Sequence, residues 1–237
     1  MAAKRSFSPA LFGFLRDLEA NNERQWFQAN KQRYEQAVKE PGLQFVDDFA
    51  PYLAKISPHF VADSRSVGGS MFRIYRDVRF SKDKSPYKTN TGFQFRHEAG
   101  KDAHAPGFYL HLEPGGVFSG VGLWQPDAAT ARRIREAIVD DPARWKRVTR
   151  SKKFLDVYTL EGDSLKRPPR DFDPVHPLID DLKRKDFIAS TSLTQKAVTA
   201  EGFVDEYAKH CRLAAPFMEF LCDAVGVPFL EPKPRRF

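Results

Sequence analysis

Apolar positions along this chain recur at helical spacing, then at strand spacing, then at helical spacing again. Leu11, Phe12, Leu15 and Leu18 share one helical face; Ser8 is placed to cap that helix, Pro9 stands in its first turn, and Asn21-Asn22 stops it. A second helix is predicted from about Glu23 to Val38 on Trp26, Phe27, Tyr34 and Val38, broken by Glu40-Pro41-Gly42. A third carries Phe45, Val46, Phe49, Leu53 and Ile56. After Pro58 the period shortens. Phe72 to Tyr75 and Gly92 to Arg96 alternate as strands do, and Phe108 to Glu113, Pro114-Gly115-Gly116 and Val117 to Trp124 read as a β-hairpin. Gln125-Pro126-Asp127 then opens a helix with Ala128, Ile134, Ala137 and Ile138 on one face, and Asp141-Pro142 starts another through Trp145 and Val148. A strand near Phe187 to Thr191 precedes a long helix from about Glu201 to Val225. Between these, KRPPRDFDPVHP (166–177) is too proline-rich for regular structure.

Helices, then strands, then helices is the order of an α+β protein: an antiparallel sheet with a hairpin, and N-terminal and C-terminal helices packed on it. One domain over 1–237 is expected, with a helical part at 8–60, antiparallel strands at 70–124 and a mainly helical part at 126–225 that holds the proline-rich loop. No internal repeat and no polar linker divides it. A composition of 41% hydrophobic residues, with 21 Phe among 237 positions, excludes the class of chains that stay disordered for want of apolar surface.

Alternation assigns the hairpin's faces. Tyr109, His111 and Glu113 point one way, while Phe108, Leu110 and Leu112 point to the core. A three-residue Pro-Gly-Gly loop sets His111 opposite Ser119 and Tyr109 opposite Val121, and puts Gly120 and Gly122 on the core side. A tyrosine, a histidine and a carboxylate on one surface are the groups of general acid/base chemistry; they are equally the ordinary residues of a solvated sheet face.

Charge concentrates in FRIYRDVRFSKDKSPYKTN (72–90), where Arg73, Arg76, Arg79, Lys82, Lys84 and Lys88 meet only Asp77 and Asp83. A strand through RIYRDVRF would put basic groups on both faces, so some of them require partners, and Ser85-Pro86 would bring Lys82, Lys84 and Lys88 out on a loop. Three readings follow. An anion site would use Arg73, Tyr75, Arg76, Arg79, Lys82, Asp83, Lys84, Tyr87 and Lys88 to hold a phosphate- or carboxylate-bearing small molecule, with His111 or Asp77 as proton-transfer candidates for any catalysis on it. A nucleic-acid surface would join this loop to the basic run RWKRVTRSKK (144–153). A scaffold would use the same charges only as an internal ion-pair network. The formal charge of +7 favours anionic partners in general without choosing among these readings.

Cys211 and Cys222 fall roughly 16 Å apart along one predicted helix, too far for a disulfide, and no cysteine–histidine cluster has zinc spacing. Gly68-Gly69 is a turn or a ligand's lining, and His176 a loop histidine. No Walker loop, GxSxG elbow, HExxH or nucleic-acid-binding signature occurs, so the chain implies no particular cofactor and no metal. The free thiols, the lack of a signal-peptide pattern in MAAKRSFSPALFGFLRDLEANN and the lack of a membrane-length apolar run lead to the expectation of a cytoplasmic protein without a membrane partner.

The combination of ERQWFQANKQRYE, RIYRDVRFSKDKSPYKTN, FYLHLEPGGVFSGVGLWQPD with RRIREAI, and LKRPPRDFDPVHPLIDDLKRKDF resembles the uncharacterised bacterial and fungal family called domain of unknown function two-four-six-one, over about Leu11 to Ser192. The resemblance implies a single intracellular α+β domain. It marks Arg73, Tyr75, Arg76, Asp77, Arg79, Phe80, Asp83, Lys84, Pro86, Tyr87 and Lys88 as matching the hallmark, and attaches no role to any of them. Asp171 stands where the resemblance leads one to expect Gly.

Overall fold

The computed structural model of the protein describes residues 4–79, 81–100 and 105–231; Phe80, one of the hallmark positions, lies outside the described residues. In chain order the elements are α1 (Pro9–Ala20), α2 (Arg24–Ala29), α3 (Lys31–Tyr34), a π-helical turn (Glu35–Lys39), α4 (Glu40–Ile56), β1 (Thr91–Arg96), β2 (Gly107–Leu112), β3 (Phe118–Leu123), α5 (Ala128–Asp140), α6 (Pro142–Arg150), α7 (Lys152–Leu155), β4 (Thr159–Glu161), α8 (Ile179–Leu182), β5 (Phe187–Ser192), α9 (Gln195–Val198) and α10 (Phe203–Val225). The strands form one antiparallel sheet in the order β1-β2-β3-β5-β4. The fold is α+β, with helices before and after the sheet.

The period-2 pattern of the strands decides which face is covered. Phe93, Phe95, Phe108, Leu110, Leu112, Val121 and Ala189 are all buried and join the apolar faces of α1, α4 and α10 in one core. Phe45 and Phe49 of α4 and Tyr207 of α10 pack their rings against Phe95. Cys211 and Cys222 are buried free thiols on α10. The other face of the sheet carries Gln94, Tyr109, His111, Phe118, Gly120 and Ser190.

Three expectations are corrected. Glu40-Pro41-Gly42 does not break a helix. The chain is helical from Lys31 through Ile56, and Pro41 is accommodated because it follows the widened π turn, in which the Glu40 N–H already donates to the Glu35 carbonyl five residues back. Phe72 to Tyr75 is not a strand. It makes single bridges, Met71 to Phe93 and Tyr75 to Tyr87, and then the chain bends. The cause is local competition. The Asp77 carboxylate accepts from the Arg79 backbone N–H, and that of Asp83 from the Ser85 N–H and hydroxyl, turns that draw backbone donors away from a ladder. Third, the hairpin register differs by one residue: His111 lies opposite Phe118, Tyr109 opposite Gly120, and Ser119 opposite Leu110. The loop is the two-residue pair Pro114-Gly115, closed by the Gly116 N–H on the Glu113 carbonyl, so Gly120 shares the Tyr109 face and Ser119 turns to the core. Strand β4 and the short helices α7, α8 and α9 have too few residues to show a period. Residues 166–177 are irregular as expected, and Asp171 ion-pairs with Arg132 at 3.1 Å.

Candidate functional site

The basic segment is a long loop with two arms pinched together at Tyr75 and Tyr87, where the Arg76 N–H donates to the Pro86 carbonyl and the Lys88 N–H to the Ile74 carbonyl. Its base is held from two sides. Phe72 N–H donates to the Gly92 carbonyl of β1. Asn22, just beyond α1, donates its amide to the Tyr87 carbonyl and accepts the Tyr87 N–H, while the buried Tyr87 ring stacks on Phe27 at 4.1 Å. Tyr87 is thus an anchor of the loop rather than a lining group.

The structure separates the predicted cations into two groups. At the tip the charges pair locally. Arg79 forks onto Asp77 at 2.7–3.3 Å, Arg76 ion-pairs with Asp83, and the Lys84 ammonium donates to the Val78 carbonyl at 3.0 Å. The Arg79 fork holds the Asp77 carboxyl down at about 2, and the bonds from Ser85, with Arg76 behind them, hold Asp83 at about 2. Asp77 therefore carries no proton to exchange near neutrality. Lys82 is exposed and makes no ion pair among the described residues. At the base stand Arg73 and Lys88. Neither has a carboxylate within ion-pair distance among the described residues. The Lys88 ammonium lies 5.4 Å over the Phe72 ring, and its pKa is lowered by burial and then by the nearby Arg73 charge.

Two hollows flank this base, and Phe72 forms a wall of both. The first, of about 240 Å³, lies between the π turn and the Met71–Tyr75 arm; Arg73 and Tyr75 line it together with Lys31, Tyr34, Lys39 and Ser66. Lys39 is paired with Glu35 at 2.8 Å, so among the described residues Arg73 and Lys31 are the cations of this hollow without an acid. Burial, then the Glu35 charge and Tyr75, push the Tyr34 phenol well above its ordinary range, keeping it a neutral donor. Sequence reasoning missed Lys31, Tyr34 and Lys39. Lys31, Glu35 and Lys39 do recur every four residues, a spacing that drifts around an α-helix of 3.6 residues per turn; the extra residue of the π turn offsets the drift and keeps them facing one hollow.

The second hollow is a groove of about 380 Å³ on the open face of the sheet. Phe72, Tyr109, Phe118 and Trp124 wall it, Gly120 and Gly122 lie on its floor, and Gln94, Glu161 and Ser190 supply polar edges. At its side the Tyr109 hydroxyl meets His111 Nδ1 at 2.9 Å and His111 Nε2 meets Glu113 Oε2 at 3.1 Å. Where Nε2 donates to the Glu113 carboxylate, Nδ1 of the neutral imidazole is left to accept from the Tyr109 hydroxyl. Burial, with the Glu113 charge behind it, raises the Tyr109 phenol to about 12. The His111 ring stacks on Phe118 at 4.8 Å. The three groups that sequence placed on one face therefore form a connected phenol–imidazole–carboxylate chain with the geometry of a base and its orienting acid.

Several of the remaining candidates are engaged elsewhere. In the 144–153 run, Arg144 pairs with Asp223 at 2.6 Å, Arg150 with Asp181 at 2.7 Å and Lys152 with Asp156 at 3.1 Å, so half of its six cations are neutralised. Gly69 belongs to a tight turn, where an added Cβ would lie 2.3 Å from the Arg65 carbonyl oxygen. His176 Nδ1 accepts the Leu178 N–H within the proline-rich loop. Among the described residues no group of three or more His, Cys, Asp or Glu could hold a metal ion, and no helix is long and apolar enough to cross a membrane.

Residues 10–220 match the model of a family described as conserved hypothetical protein (DUF2461). No curated protein matches the chain.

Proposed function

This chain belongs to the DUF2461 family, and we propose that it binds a small ligand carrying a phosphate or carboxylate at the base of the basic loop, with Arg73 and Lys88 as the charged contacts and Lys31 supporting them from the first hollow. The observation that carries the reading is the pairing of two neighbouring cations with each other's repulsion and no acid. Lys88 is half-buried and desolvated beside Arg73, whereas Arg76, Arg79 and Lys84 at the loop tip find local partners. An anion between the two would remove that repulsion and take up the Arg73 fork. Arg76 and Arg79 then belong to the loop's architecture, as the scaffold reading has it. With Arg144, Arg150 and Lys152 locally paired, the nucleic-acid reading keeps Lys146, Arg147 and Lys153 of that run.

Thermal unfolding across a panel of phosphates, sugar phosphates, nucleotides and di- and tricarboxylates tests this. A ligand at about a hundred times its Kd should raise Tm by roughly 5–10 °C. Arg73→Ala should abolish the rise and Arg79→Ala should leave it. A rise that survives Arg73→Ala, or a panel without a hit, refutes the reading; binding of a polyanion that survives Arg73→Ala and collapses with salt would favour nucleic acid instead.

Binding should also be linked to protons. The depressed Lys88 pKa means that Lys88 is partly neutral in the alkaline range just below the ordinary lysine pKa. An anion favours its charged form, so protons are taken up on binding and affinity weakens as pH rises through that range. Calorimetry in buffers of different ionisation enthalpy at alkaline pH measures the uptake; Lys88→Met should eliminate it.

A further inference from the structure

The first hollow, at about 240 Å³, is smaller than the roughly 300–1,000 Å³ of ordinary small-ligand pockets, so it encloses a headgroup and leaves the body of a ligand outside. Lys31, Lys39 and Arg73 line it, and the acids beside them decide what that headgroup is. Lys39 is taken by Glu35 at 2.8 Å, and Glu35 is the one carboxylate of the hollow among the described residues. Arg73 and Lys31 are left as two positive charges without an acid. Resting on the reading above, we propose that the headgroup is the dianion of a phosphate monoester, in preference to a carboxylate or any other single charge, and that Lys31 and Tyr34 are the residues that make the choice.

Arg73 does not discriminate by itself. A guanidinium fork fits the two oxygens of a carboxylate as well as two of a phosphate. A carboxylate held in that fork spends both oxygens and its single charge there, and Lys31 stays uncompensated in the same hollow. A phosphate monoester carries nearly two negative charges at neutral pH and has a third terminal oxygen. Its second charge matches Lys31. Its third oxygen requires a donor, and Tyr34 has one to give. That side chain is only 8% exposed, packs on Phe27 at 5.3 Å and on Phe14 at 5.7 Å, and lines the hollow, yet its hydroxyl makes no hydrogen bond among the described residues. Native proteins rarely leave so deep a donor without a partner. Burial also holds the phenol in its protonated, donating form. The Arg73 charge bears in addition on Lys88, which does not line the hollow, so a monoanion would offset one of three neighbouring cations and a dianion two.

Calorimetric titrations with methyl phosphate, methyl sulfate and acetate separate charge from shape, because methyl sulfate presents the same three terminal oxygens with a single charge. At about pH 8 the wild type should bind methyl phosphate at least about tenfold more tightly than either monoanion, the order expected for one added charge pair in a half-enclosed site. That affinity should fall as pH is lowered through the second pKa of the phosphate, at about 6. The titratable and charged groups facing the headgroup are Lys31, Tyr34, Glu35, Lys39, Arg73 and Tyr75, with no histidine among them, so the midpoint should follow the ligand and move up with methylphosphonate, which holds its second proton more tightly. Lys31→Met should shrink the phosphate-to-sulfate factor below about threefold, and Lys31→Arg should keep it. Tyr34→Phe should weaken methyl phosphate by roughly two- to tenfold, the worth of one neutral hydrogen bond, and leave acetate unchanged. Lys31 is exposed and the Tyr34 hydroxyl has no partner to lose, so unfolding curves of these variants should match the wild type; if Lys31→Met lowers Tm, Lys31→Gln takes its place. Equal affinities for methyl phosphate and methyl sulfate, a factor that survives Lys31→Met, or a midpoint that stays put with methylphosphonate overturns the dianion assignment while leaving the anion site standing. Undiminished phosphate binding by Tyr34→Phe overturns the part given to Tyr34. No binding of any of the three anions, or binding that Arg73→Ala does not weaken, overturns the reading on which the inference rests.

Discussion

Gly92 decides whether the phenol–imidazole–carboxylate chain exists. A Cβ at this position of β1 would fall 2.5 Å from the Tyr109 hydroxyl oxygen and about 3.0 Å from its ring, and the Tyr109 ring is in contact with Phe72 and Phe118. Gly92→Ala should therefore cost about 1–3 kcal/mol by overpacking, seen as a lower urea midpoint with an unchanged slope. Tyr109→Phe removes the atom in the way, so in that background Gly92→Ala should cost at least about 1 kcal/mol less. A double-mutant cycle with no such coupling would show that the hydroxyl is not where the structure puts it. The trio itself was legible in the sequence, because period-2 alternation puts Tyr109, His111 and Glu113 on one face whatever the register. Their hydrogen bonds were not, since these depend on ring orientations fixed by Phe118 across the strand. Likewise the cations of 72–90 were visible as a cluster. Which of them pair with Asp77 and Asp83, and which stay unpaired, depends on where the loop bends, and an alternating pattern of charges predicts a strand there instead.

Among the elements, the β2–β3 hairpin shows how one turn residue changes the chemistry of a face. Counting Pro114-Gly115-Gly116 as the loop gives one register; the Glu113 carbonyl to Gly116 N–H bond at 3.1 Å gives the other, and the difference moves Gly120 from the core to the groove floor. The turn places Pro114 second and Gly115, with φ +83°, third, as a type II turn requires. Gly115→Ala should cost about 1–2 kcal/mol because an L-residue is forced into the left-handed region. At Gly116 an added Cβ meets nothing nearer than the Glu113 carboxylate at 3.4 Å, so Gly116→Ala should stay within about 0.5 kcal/mol of the wild type in the same unfolding assay. Equal costs at the two positions would argue for the three-residue loop. The π turn is a contrary case. Nothing in EQAVK announces an extra residue in the turn, and the signal present, Pro41-Gly42, points to a break; tertiary packing around Tyr34 and Val38 overrides it.

For the molecule as a whole, the helix–sheet–helix order was readable because long amphipathic runs carry many residues per element, and the same apolar investment sets how the protein responds to alkali. Tyr34, Tyr109, Tyr158 and Tyr207 are all buried or nearly so, and burial is the leading reason that each phenol is pushed up. It also pushes up the thiols of Cys211 and Cys222, the latter to about 12. In the unfolded chain such thiols titrate near 8.5 and phenols near 10. As pH rises past about 8.5 the unfolded state releases protons that the folded state keeps, so it binds fewer protons and stability falls with pH. Lys88 works in the opposite sense, its penalty fading as it loses charge, but it is one group against six. By pH 11 each thiol should have cost about 3 kcal/mol and each phenol about 1.4, together about 12 kcal/mol, which is comparable to the whole stability of a typical domain. Melting followed by circular dichroism should thus show a Tm nearly constant from pH 7 to 8, falling steeply above 9, with the native state lost at room temperature near pH 11. Between pH 9 and 10 the two thiols supply about two-thirds of the slope and the four phenols the rest. The Cys211→Ala/Cys222→Ala protein should flatten it by roughly 1.4 kcal/mol per pH unit for each cysteine removed, whatever packing it loses at neutral pH, and an unchanged slope would show that α10 does not hold its thiols protonated.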